Sequence, residues 1–150
     1  MTPLFKKLNY KNTEIGVFNA PDSFASELLP MTGEATIITN LSKVKTGSFL
    51  MAFAITQKEL DYWSNALVGK LAEDGVLWFC FPKGTSKKYK CEFNRDTGWH
   101  ELARLGFEGV RSVAIDADWT GLRFRKPAHI KTMTRGFAIS AEGKAKTKKK

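Results

Sequence analysis

The sequence predicts a three-layer α/β fold, a mostly parallel sheet with helices on both faces that closes with a C-terminal antiparallel hairpin. Three observations carry this. Phe49 to Ile55 (FLMAFAI) and Val76 to Phe81 (VLWFCF) are apolar throughout, as strands covered on both faces are. Between them lies a helical pattern that opens with a capping signal. Later, Val110 to Asp116 and Gly121 to Lys126 read as two strands four residues apart, hence a hairpin.

Taken in order, Glu14 to Ala20 is a short strand closed by Pro21 and Asp22. Pro21 suits the first turn of a helix, and Phe24, Leu28 and Leu29 have helical spacing, so Asp22 to Leu29 is a short helix ended by Pro30. Ala35 to Thr39 reads as a second short strand, and Phe49 to Ile55 as a third. Thr56 stands three residues before Glu59, the capping-box spacing, and Leu60, Trp63, Leu67 and Leu71 continue a helix up to Gly75. Val76 to Phe81 is a strand stopped by Pro82. Asp96 is the expected cap of a short helix carrying Trp99, Leu102 and Ala103 and ending near Gly106. The strand and helix alternation gives a Rossmann-like domain over residues 14–127, with an extension at 1–13 and a basic tail at 128–150.

Composition bounds the function. At 150 residues, 43% of them hydrophobic, the chain is long enough to bury a core without disulfide or metal staples. No apolar run approaches the roughly 20 residues that span a bilayer, and the first ten residues do not read as a secretory signal, so a soluble cytoplasmic protein without a membrane partner is expected. Cys80 and Cys91 are isolated and lack metal-site spacing, as do His100 and His129, so no metal and no hydrolytic triad is expected. The net charge of +9 belongs to the last 28 residues, where ten basic side chains face the single acid Glu142. The terminal run Lys144 to Lys150 is expected to be disordered from about residue 141 and suits weak, salt-sensitive contact with nucleic acid, or serves only as a solubilising tail.

The strand ending in Pro82-Lys83, the later Asp118-Trp119-Thr120-Gly121 and the basic end of the last strand together resemble the uncharacterised bacterial family known as domain of unknown function 3052, over most of residues 14–127. That resemblance implies a small cytoplasmic bacterial protein and brings no catalytic residues. The layout more distantly resembles the sheet of class I methyltransferases. Such enzymes often have a glycine-rich turn after the first strand, whereas the turn here, Phe18-Asn19-Ala20-Pro21-Asp22-Ser23, has no glycine, and Pro21 removes an amide donor. The second strand also offers no acidic residue at Thr39-Asn40-Leu41. S-adenosylmethionine in the usual pose, a dinucleotide and a nucleoside triphosphate all lack their fingerprint, and no cofactor is expected.

Ligands of such sheets bind outside the carboxyl ends of the strands. Here those ends supply Asn19, Thr56, Lys83, Asp116, Asp118 and Trp119, and Arg123 on the last strand is added as a phosphate or carboxylate partner. Lys83 brings a fixed positive charge, and the basic loop from Gly84 to Asn94 suits a mobile cover. Asp116 and Asp118 form either an acid and base pair or, as Asp in hairpin connections more commonly does, the hydrogen bonds of a turn. Trp119 offers a stacking face or closes the core. The reading that fits best is a non-enzymatic module binding an anionic small molecule or a partner at this rim. The alternative is an enzyme derived from a methyltransferase-like fold with an altered ligand site, and nucleic-acid binding through the tail is a third. An open edge at the hairpin makes a homodimer plausible.

Overall fold

The computed structural model describes residues 2–11 and 14–130. Its elements are α1 (Pro3–Lys7), β1 (Ile15–Phe18), α2 (Ala25–Leu28), β2 (Ile37–Ile38), β3 (Gly47–Phe53), α3 (Gln57–Val68), β4 (Leu71–Pro82), α4 (His100–Arg104), β5 (Glu108–Ala114) and β6 (Trp119–Arg125). Short 3-10 turns flank α2 at Asp22–Phe24 and Leu29–Met31, so the expected helix is a broken one, ended by the ring of Pro30.

The six strands are ordered β2-β1-β3-β4-β6-β5. The first four run parallel, and β6 is antiparallel to both of its neighbours, β4 and β5. The antiparallel strand therefore sits inside the sheet, while β5 forms the edge and runs in the same sense as the parallel set. The three-layer α/β architecture is the one expected. Both faces are covered. Phe5, Ile15, Phe24, Phe49, Trp78 and Trp119 belong to the core on the α1 and α2 side, and Leu50, Leu60, Phe79, Trp99, Leu102 and Phe124 to the core on the α3 and α4 side. A fully apolar strand is required when alternate residues enter two different cores, as Trp78 and Phe79 do.

Several boundaries differ from the expectation; the hairpin strands run Glu108–Ala114 and Trp119–Arg125 rather than 110–116 and 121–126. Residues 3–10, read as an extension, pack into the first core: Leu4, Phe5, Leu8 and Tyr10 are buried, and the Trp78 indole donates to the Leu8 carbonyl at 2.8 Å. A buried indole N–H needs such an acceptor, so this contact fixes where α1 crosses the sheet. Leu71, read as the last helical position of α3, begins β4, because the helix stops at Val68 and Gly69 caps it. Trp99 rather than Asp96 caps α4; the Asn94 side chain accepts from the Asp96 and Thr97 amides in a separate turn, and Gly98 (φ +97°) supplies the positive φ that leads into the helix. At the other end, Pro127–His129 forms a 3-10 turn and Ile130 is buried, while the tail expected to be disordered lies, from residue 131, outside the described residues. Among the described residues no helix is long and apolar enough to cross a membrane.

Candidate functional site

The carboxyl ends of β1, β3, β4 and β5 meet at one rim, and α3 starts there. Thr56 caps α3: its hydroxyl accepts from the Glu59 amide at 3.1 Å, and the Glu59 carboxylate returns to the Thr56 amide at 3.0 Å. The same carboxylate accepts from the Ile55 amide at 3.0 Å. Asn19 completes the knot. It ends β1 in the left-handed region (φ 59°), which Asn tolerates better than most residues, and its amide donates to the Phe53 carbonyl and to Glu59, both at 2.7 Å. One side chain thus ties the ends of β1 and β3 to the first turn of α3. Burial works to raise the Glu59 carboxyl, but the Asn19 amide, the Ile55 and Thr56 amides and the Thr56 hydroxyl together hold it below its ordinary range.

Asp116 and Asp118 hold the hairpin and its neighbour. The Asp116 carboxylate accepts from the Asp118 and Trp119 amides, both at 2.8 Å, which is the turn role. The Asp118 carbonyl accepts from the Lys83 amide at 2.8 Å, and its carboxylate from the Ser86 hydroxyl at 2.9 Å. The loop after Lys83 is therefore anchored to the hairpin. Further anchors follow, from the Glu92 amide to the Ile55 carbonyl at 3.0 Å and from the Gln57 amide to the Glu92 carboxylate at 2.9 Å, with Phe93 buried beneath. The expected mobile cover is, in this structure, a docked loop.

Two concavities result. The inner one, about 120 Å³, is bounded by Asn19, Pro21, Phe53, Glu59, Tyr89 and Trp119. Trp119 is buried, with its ring 5.2 Å from Phe53 and 5.0 Å from Tyr89 between centroids, and its indole N–H has no hydrogen-bond acceptor among the described residues. Tyr89 also borders the outer concavity, an open trough of about 910 Å³ under the loop, where Lys83, Lys87, Lys88, Lys90 and Arg95 face the acids Glu92 and Asp96. Cys91 lies on this trough, and burial pushes its thiol up.

Six of the seven residues expected at the rim are there: Asn19, Thr56, Lys83, Asp116, Asp118 and Trp119. Arg123 is not. Because β6 runs back against β4, Trp119 pairs with Pro82 at the rim, whereas Arg123 pairs with Trp78 toward the opposite end of the sheet. Nor does it or Arg125 reach Asp116 or Asp118; Arg125 pairs instead with Asp74. Glu59 and Tyr89 belong to the rim and were not anticipated there, although the capping box placed Glu59 directly after β3. Among the described residues no group of three or more His, Cys, Asp or Glu is placed to hold a metal ion.

The fold's usual cofactor can be tested against this geometry. Ligand pockets for molecules of that size commonly measure about 300–1,000 Å³. The inner cavity is well below that, and the end of β1, where a glycine turn would admit the cofactor, carries the Asn19 knot and Pro21. S-adenosylmethionine in the usual pose does not fit this rim.

No protein-family model matches the chain, and no curated protein matches it. The resemblance to domain of unknown function 3052 thus rests on its short motifs alone. Solved structures do match. A putative type 11 methyltransferase from Sulfolobus solfataricus superposes with a TM-score of 0.51 at 8% identity, covering 90% of this chain and 94% of that one. An S-adenosylmethionine-dependent methyltransferase from Clostridium acetobutylicum gives 0.50 at 7% identity, with 81% and 87% covered. A ribosomal protein L11 methylase from Lactobacillus delbrueckii subsp. bulgaricus gives 0.46 at 18% identity, covering 75% of this chain; the chain spans 58% of that protein's length. At these identities the likeness is one of fold, and the fold is the Rossmann-like sheet of the methyltransferases.

Proposed function

We propose that the chain is an enzyme derived from the class I methyltransferase sheet, with an altered ligand site at the carboxyl rim. The observation that carries this reading is the superposition of 90% and 81% of the chain on two methyltransferase structures, combined with the Asn19 to Glu59 knot where the cofactor would enter. The ligand is anionic and occupies the outer trough, where five cations outnumber two acids. Lys83 fixes it beside Tyr89, which supplies a planar wall.

A second reading, a binding module without catalysis, is favoured by one observation. Glu59 spends both carboxylate oxygens on the cap and on Asn19, and Asp116 and Asp118 each commit one oxygen to the turn or to the Ser86 tether, so every acid of this set already serves the fold.

Thermal-shift and calorimetric titrations against S-adenosylmethionine, nucleotides and sugar phosphates test both, on the wild type and Lys83→Ala. Saturation at a hundredfold over Kd stabilises by about 2.7 kcal/mol, which for a chain of this size raises Tm by roughly 5–10 °C. A rise with a phosphate compound that Lys83→Ala abolishes supports the trough. Conversion of the bound compound, followed by NMR, favours the enzyme, and its unchanged recovery the binding module. A rise with S-adenosylmethionine alone, unaffected by Lys83→Ala, overturns the altered site.

A further inference from the structure

We propose a second anion site, on the opposite end of the sheet from the rim, in which Arg123 and Arg111 grip a phosphate group. On the α1 side of the sheet, Arg123 of β6 stands directly across from Arg111 of β5 and beside Trp78 of β4. Like charges directly opposite each other on antiparallel strands repel and are destabilising. Among the described residues the nearby acids relieve this pair only in part. Asp74 is committed to Arg125 through a two-pronged contact at 3.0 and 2.7 Å, and Glu73 is paired with His129 at 2.9 Å. The Arg123 Nε is buried and has no hydrogen-bond partner among the described residues, a costly state for a guanidinium. Burial first, then Arg125 and Arg111, lowers the affinity of Arg123 for its proton, and Asp74 only partly offsets them.

A groove of about 330 Å³ opens at this point, bordered by Asn9, Lys11, Ser48, Gly75, Arg123 and Arg125. Lys11, Arg123 and Arg125 border the groove with Glu73 and Asp74, and Arg111 stands across from Arg123, so four cations exceed two acids by two and the complementary ligand carries about two negative charges. A phosphate group meets that charge, and its oxygens match guanidinium forks in geometry. Bound between the two arginines, it turns a repulsion into charge-assisted hydrogen bonds. The chain leaves the described body at the same end, where His129 meets Glu73. Beyond it the sequence from Lys131 to Lys150 holds seven bases against Glu142. The phosphate is thus either that of a small molecule or the backbone of a nucleic acid.

The test is a ¹⁵N-resolved NMR titration of the full chain with pyrophosphate, and with a single-stranded thymidine 12-mer, at low salt. Wild type, Arg111→Gln, Arg123→Met and Lys83→Ala are compared; Arg111 is exposed, so its variant keeps the fold. Saturable shifts at Gly75, Arg111 and Arg123 are expected, with apparent affinity at least fivefold weaker in each arginine variant and unchanged in Lys83→Ala. That last comparison separates this site from the rim, whose failure leaves it standing. A 12-mer that binds tenfold tighter than pyrophosphate and weakens with Arg111→Gln assigns the site to a polynucleotide backbone; equal affinities assign it to a small phosphate. Absence of saturable shifts, shifts confined to Lys83–Arg95, or affinities indifferent to both arginine variants overturns the proposal.

Discussion

Replacing Asn19 by alanine tests the knot that closes the rim. The substitution removes a neutral amide-to-carbonyl hydrogen bond to Phe53 and a charge-assisted one to Glu59, each 2.7 Å long. The first contributes about 1 kcal/mol and the second about 1.5 kcal/mol, the low end of its class because the pair is exposed. Alanine must also adopt φ 59°, which costs about 1 kcal/mol in the left-handed region. The expected loss is about 3 to 4 kcal/mol, or roughly 7–14 °C in Tm for a chain of this length. Asn19→Gly loses the same hydrogen bonds but none of the backbone ease, and should fall about 1 kcal/mol short of the alanine variant. Urea unfolding followed by circular dichroism measures both, with an unchanged m-value as the check that only stability has moved. An alanine variant within about 0.5 kcal/mol of wild type, less than a single neutral hydrogen bond, would refute the knot, and equal losses for alanine and glycine would refute the role of the positive φ.

Four further outcomes are expected. Because its partners hold the Glu59 carboxyl below the ordinary value of 4.5, its contribution to stability is fully present above that pH and drains away as pH falls through the lowered folded value; Glu59→Gln should flatten this acid limb of the stability curve, read by urea midpoints at stepped pH. Asp74→Asn keeps a residue that tolerates φ 50° but strips the charge facing Arg125; with Asp74 37% and Arg125 26% exposed, solvent screening limits the loss to about 1 kcal/mol, shrinking further at high salt in matched melts. Arg123→Met should stabilise by up to about 1 kcal/mol, since it removes a half-buried cation that repels Arg111; a loss of stability in denaturant titration would mean that the aliphatic stem outweighs the charge. Cys80 is fully buried and burial pushes its thiol up, so Ellman's reagent should leave it untouched in the native protein and reach Cys91 alone, with both reacting in denaturant.

Much of the fold was legible because it is written in short-range chemistry. The apolar runs that became β3 and β4, the capping box from Thr56 to Glu59 and the turn at Asp116 each express a local rule, and each is the kind of element read, although β3 spans Gly47–Phe53 and β4 extends back to Leu71. What escaped depends on partners distant in the chain. A five-residue helix with lysines at its end shows no period, so α1 is recognisable only once Leu8 meets Trp78. Leu71 kept the helical spacing of Leu67 by coincidence, and nothing in its side chain signals that the helix has already ended at Val68. Arg123 lies at the other end of the sheet because β6 starts at the rim, with Trp119 beside Pro82, and runs away from it, so that four residues later Arg123 is beside Trp78; the antiparallel hairpin already implies this direction. Tyr89 sits amid lysines in a loop, and only the docking of that loop brings its ring to Trp119.

The contact between Leu8 and Trp78 also orders events in time. Residues 3–10 leave the ribosome long before β4 exists, so the apolar side chains of α1 have no sheet to cover until some 70 more residues have been made. A contact of such sequence span is slow to close, because the intervening chain must first be ordered. During that interval Phe5 and Leu8 are available to chaperones, to a second chain or to whatever is fused ahead of them. A bulky N-terminal fusion would therefore act on the yield of folded protein more than on its final stability, and moving the fusion to the other terminus should restore that yield.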